Sequence, residues 1–72
     1  GDLERAERLL AQAAHKWPGE PAVAYNLGVI EAERGRTAEA AEAWRRALQL
    51  DPTFEPARAR LAELKISAPP AP

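Results

Sequence analysis

Trp17-Pro18-Gly19, Gly35 and Asp51-Pro52 cut this chain into four short stretches, and that punctuation limits the fold more than any other feature. Proline lacks a backbone donor and crowds the preceding turn, while glycine takes backbone conformations closed to other residues. Between the breaks, apolar residues recur at spacings of three and four, which predicts helices and no strands. The first helix is expected over Asp2 to Lys16, with Asp2 as N-cap and Leu3, Ala6, Leu10 and Ala13 on one stripe. The second is expected over Pro21 to Arg34. Pro21 suits a first turn, and Gly35 suits the left-handed residue after the last one. Thr37 to Leu50 forms the third, with Thr37 as N-cap, Ala40, Trp44, Ala47 and Leu48 inward, and Glu42 facing Arg46 one turn on. Glu55 to Ile66 forms the fourth, with Ala57, Leu61 and Leu64 inward. Such short connections make neighbouring helices antiparallel. The expected fold is all-α, built of antiparallel helix–turn–helix units over residues 1–66. Residues 67–72, rich in proline, read as an extended tail or linker.

Composition narrows what such a fold can do. At 72 residues the chain makes one domain at most, and its sixteen Leu, Ile, Val, Phe, Trp and Tyr residues allow only a small core. Seventeen alanines favour helix and let helices approach closely. Without cysteine there is no disulfide, iron–sulfur cluster or thiolate zinc site, and the compartment is not legible. Ser67, the sole serine, falls in the tail, and His15, the sole histidine, lies on the first helix, so no nucleophile–base set is supported. No enzymatic activity, cofactor or metal is expected. A net charge of −1 argues against a nucleic-acid partner. The apolar runs are far shorter than the roughly 18–20 residues of a membrane span, so no membrane insertion is expected.

At an offset of 34 residues, Gly1 aligns with Gly35, Ala6 with Ala40, Ala13 with Ala47, Pro18 with Pro52 and Leu27 with Leu61. Leu27-Gly28, Gly35, Ala40, Trp44, Ala47 and Leu50-Asp51-Pro52 carry the small and large positions of a helical hairpin. Pro21 to Phe54 resembles one complete tetratricopeptide repeat (TPR), the 34-residue helix–turn–helix unit of α-solenoids. Gly1 to Glu20 resembles the second helix of a preceding repeat, and Glu55 to Ile66 the first helix of a following one. The chain departs from the family at Ala24 and Glu31, where an aromatic is usual, with Tyr25 beside the first gap.

The resemblance implies a protein–protein interaction scaffold. In this family the first helices of successive repeats line a concave groove that takes a peptide or a partner helix. Carried over position by position, that face consists of Ala22, Tyr25, Asn26, Val29, Ala32 and Glu33, joined by Ala59, Arg60 and Glu63. The spacing of 22, 25, 26 and 29 places them on one helix side. Asn26 offers donor and acceptor together, and Tyr25 offers apolar area with a polar tip. Replacing both by alanine is expected to weaken binding while leaving helical circular dichroism unchanged. Family members that grip a C-terminal carboxylate use Asn and basic residues here. Asn26 and Arg60 fit, but Pro56 stands where such members carry Lys. The basic pairs Arg34/Arg36 and Arg45-Arg46, flanked by glutamates, read as solvated helix face.

The chain opens in mid-repeat, so the first helix lacks a hairpin partner and exposes part of Leu3, Leu9 and Leu10. A longer repeat array or a second molecule is expected to cover that surface. Self-assembly as a homodimer through it is therefore an alternative function, abolished by Leu10→Glu. A docking arm of a larger enzyme or of a secretion or assembly machine is another. Eight arginines against two lysines fit a GC-rich bacterial source.

Overall fold

The computed structural model describes the backbone of residues 1–67 and the side chains of residues 1–64; the tail expected over 67–72 lies, apart from Ser67, outside the described residues. It contains four helices, α1 (Asp2–Lys16), α2 (Pro21–Glu33), α3 (Thr37–Leu50) and α4 (Glu55–Ser67). α2 ends one residue earlier than expected, with Arg34 as its cap, and α4 runs one residue further than expected, through Ser67.

The turns show why the breaks fall where they do. Gly35 has φ 78°, in the left-handed region. Its N–H donates to Ala32 O at 3.0 Å, and Arg36 N–H donates to Glu31 O at 2.8 Å. That pair of bonds is a Schellman motif, which satisfies the last carbonyls of α2 and reverses the chain. It also corrects the expected cap of α3. Arg36 leaves the turn as the N-cap, its carbonyl taking the first helical bond from Ala40 N–H at 2.9 Å. Thr37 is therefore already helical and makes no capping bond. Asp2 is corrected likewise: Gly1 is the N-cap, and Asp2 sits with Glu4 in the first turn, where negative charge suits the helix dipole. Between α3 and α4, Asp51 Oδ1 accepts from the Thr53 hydroxyl at 2.7 Å and from the Thr53 N–H at 3.0 Å. Those two bonds, the hydroxyl's first, hold the Asp51 carboxyl below the usual aspartate value.

The core sits between α2, α3 and α4. Ala40, Ala47 and Ala57 are fully buried, Ala24 and Trp44 almost so, with Tyr25, Val29, Leu48, Phe54, Leu61 and Leu64 packed around them. Small residues let the helices close down, and one indole fills the remaining space. Trp44 lies against Gly28, where a Cβ would stand only 2.6 Å from the indole Cδ1. Its N–H donates to Tyr25 O at 3.1 Å, so the buried indole has its polar partner. The inward stripes expected for α3 and α4 are those observed. α1 is different. It packs chiefly on α2 and has no buried residue; Leu3, Leu10 and Ala13 are half-buried, and Leu9 is 59% exposed.

Candidate binding surface

The residues expected on one face of α2 and α4 are brought together in part. Tyr25 and Arg60, far apart in sequence, meet where Arg60 Nε donates to the Tyr25 hydroxyl at 3.4 Å. Arg60 Nη1 also lies 3.9 Å from Glu63 Oε2, one helical turn on. The Tyr25 hydroxyl first, then the charges of Glu63 and Glu33, hold the Arg60 guanidinium protonated beyond its ordinary range. Arg60 is thus engaged by its own surface. Asn26, Ala32, Glu33 and Ala59 are exposed, and Ala22 is half-buried.

Two of the expected residues do more than line a surface. The Tyr25 ring packs edge-on against Phe54, with centroids 5.7 Å apart, and Tyr25 and Val29 both pack against the core. Tyr25→Ala would therefore remove packing as well as a contact. Helix spacing gives no measure of the depth at which Tyr25 sits.

A second cluster escaped the sequence reading altogether. Glu31 is buried on the same α2 stripe as Ala24 and Gly28. Arg34 Nη1 reaches Glu7 Oε1 at 2.7 Å, and Arg36 Nη1 lies 3.4 Å from Glu7 Oε2 and 3.6 Å from Glu31 Oε2. Arg34 is only 21% exposed. Arg34 and Arg36, expected on a solvated face, instead tie α1 to the end of α2. One signal was available: Glu31 follows Gly28 by three residues, at a spacing that belongs to the packed stripe.

His15 is exposed on the last turn of α1, and Arg45 and Arg46 are exposed on α3. Among the described residues no group of three His, Cys, Asp or Glu is placed to hold a metal ion, and no helix is long and apolar enough to cross a membrane.

Four short helices joined by tight turns, with α2, α3 and α4 packed through alanine and glycine, define a helical-hairpin repeat protein among the described residues. A family model described as the tetratricopeptide repeat matches residues 1–53, and the chain belongs to that family. Its repeats are non-enzymatic and mediate protein–protein interactions. No curated protein and no solved structure matches the chain.

Proposed function

We propose that this chain is a non-enzymatic scaffold, its helical unit spanning residues 1–66, whose α2–α4 face takes a peptide or a partner helix. The observation that carries the reading is the Tyr25–Arg60 contact between α2 and α4, with Asn26 and Glu33 exposed on α2. A rigid aromatic, an amide with both donor and acceptor, and charges of both signs suit a polypeptide better than a small metabolite. Ala22, Val29 and Glu63 complete the surface. With Arg60 held by Tyr25 and Glu63, the face does not favour a carboxylate clamp.

The test separates contact from packing. Tyr25→Phe keeps the ring on Phe54 and loses the hydroxyl; Asn26→Ala removes an exposed amide. A panel of short helical and extended peptides is titrated against the chain and followed by amide NMR. Binders should shift Asn26, Val29 and Glu33, and the double variant should weaken them about tenfold, the equivalent of roughly 1.4 kcal/mol. Binding that shifts only α1, or that the variant leaves unchanged, would remove this face from the proposal.

A second reading is favoured by Leu9, the most exposed large apolar residue of the described chain. Together with Leu3 and Leu10 it gives α1 an apolar outer surface suited to a second copy. Leu10 is half-buried, so Leu9→Glu tests association with less damage to the fold than Leu10→Glu. Sedimentation at micromolar concentration should show a dimer that Leu9→Glu dissociates. A folded parent that stays monomeric up to millimolar concentration contradicts this reading.

A further inference from the structure

Glu31 occupies a position on the packed stripe of α2, yet carries a carboxyl whose side chain is only 10% exposed. Its Oε1 is buried with no donor. Its Oε2 shares a single nitrogen, Arg36 Nη1, with Glu7 Oε2 of α1, at 3.6 and 3.4 Å. Arg34 Nη1 is committed to the other oxygen of Glu7, at 2.7 Å. From α3, Glu39 lines the same cavity of about 310 Å³ beside the pair, with Ala11, Leu27 and Ala43. The surroundings of Glu31 are therefore Glu7 from α1, Arg34 from the end of α2, Arg36 from the turn and Glu39 from α3. Both arginines are used on the two carboxyls, and Glu39 adds further negative charge.

An ionised oxygen buried without a donor is costly, whereas a carboxyl that keeps its proton brings a donor of its own. We infer that Glu7 and Glu31 together bind one proton, as a carboxyl–carboxylate pair, and that this proton governs how firmly α1 docks on α2. The Glu31 O–H donates to Glu7, and the Glu7 carboxylate is the charge that Arg34 holds. α1 has no fully buried residue of its own, and Leu3, Leu10 and Ala13 are only half-buried, so this cluster is a substantial part of its attachment. The titration follows the geometry. The hydrogen bond with Glu7, then burial, push the Glu31 carboxyl above the ordinary glutamate value. The same bond pulls Glu7 below it, Arg34 and Arg36 adding to the effect and burial opposing it.

The sign of the pH dependence comes from both members. Glu31, raised on folding, contributes stability that is present below its unfolded value and lost as pH rises through its folded value. Glu7, lowered on folding, contributes stability that is present above its unfolded value and lost as pH falls through its folded value. The two contributions overlap around the ordinary glutamate value of 4.5. α1 is therefore held best in mildly acidic solution and loosens toward neutral and alkaline pH, once both carboxyls are ionised and face one another.

The full 72-residue chain is melted from pH 4.5 to 8.5 by far-ultraviolet circular dichroism, beside Glu31→Gln and, as control, the exposed Glu42→Gln. The amide of Glu31→Gln keeps the shape, offers Glu7 a donor and has no proton to lose. The parent and the control should drop by several degrees between pH 5 and 8. Glu31→Gln should lose little over that interval and be the more stable chain at pH 8. Carbon-13 titration of the parent should show one glutamate carboxyl above and one below the ordinary value, assigned to Glu31 and Glu7. Equal pH dependence of the parent and Glu31→Gln, or a Glu31 that titrates at the ordinary value, would overturn the inference.

Discussion

Trp44→Ala is expected to leave the chain without cooperative folding at room temperature. The indole is 2% exposed, and among the described residues it is the only large side chain in the buried hydrophobic core; the others are alanines. Truncating a buried aromatic to alanine costs about 3–5 kcal/mol. A single core in a chain of this length rarely supplies more than about 3–5 kcal/mol in total. Gly28, Ala40 and Ala47, buried with the indole, have no side-chain length with which to fill the space. The Trp44 N–H bond to Tyr25 O disappears as well. Trp17→Ala is the matched comparison: this second indole is 54% exposed, with Lys16 Nζ 4.9 Å from its ring centroid. Circular dichroism of Trp44→Ala should show lost helix and no melting transition, whereas Trp17→Ala should melt within a few degrees of the parent. A cooperative melt of Trp44→Ala near the parent's would place the folding core elsewhere.

Much of this architecture was legible because it rests on backbone rules. Pro18, Gly35 and Pro52 act through their own covalent geometry, so the ends of the helices could be read without knowing what packs where. Trp44 facing small residues was legible for a related reason: helical spacing puts one large side chain opposite positions that only small ones can occupy. The caps were not. Which residue becomes an N-cap depends on the angle at which the preceding turn delivers the chain, and the Schellman turn at Gly35 advanced α3 by one residue relative to its best capping side chain. The face shared by α2 and α4 was half legible. Spacing placed Tyr25 and Asn26 on one side, but only packing decides that Tyr25 rests on Phe54 while Asn26 stays exposed. Glu31 shows the deeper reason for such gaps. A charged residue reads as surface unless its partners are known, and its partners came from another helix and from the next turn. Burial of a carboxyl is a tertiary property, decided by Glu7 and Arg36 rather than by the neighbours of Glu31 on α2.

Gly28→Ala is expected to destabilise the chain even though it favours the helix. In an isolated helix alanine is preferred over glycine by about 1 kcal/mol. Here the added Cβ would collide with Trp44 Nε1, and would lie 2.6 Å from Cδ1 and 2.9 Å from Cε2 of the same ring. The obstacle is the body of a ring system, not the free end of a flexible chain. The ring has little room to retreat, since Ala40, Ala47 and Ala57 in the same cluster are fully buried. Overpacking of this kind costs about 1–3 kcal/mol, and a displaced indole also forfeits its bond to Tyr25 O, worth about 0.5–1.5 kcal/mol. The clash outweighs the propensity gain. The melting midpoint should fall by about 5–15 °C on the usual scaling for a domain of this size. The cause can be isolated by repeating the substitution in a Trp44→Leu background, where the shorter side chain vacates the space beside residue 28. Trp44→Leu is itself destabilised, but adding Gly28→Ala to it should cost little or even raise the midpoint. The double-mutant cycle then gives a coupling of opposite sign to the single effect of Gly28→Ala. If Gly28→Ala lowered the midpoint equally in both backgrounds, the glycine would be required by something other than its approach to Trp44.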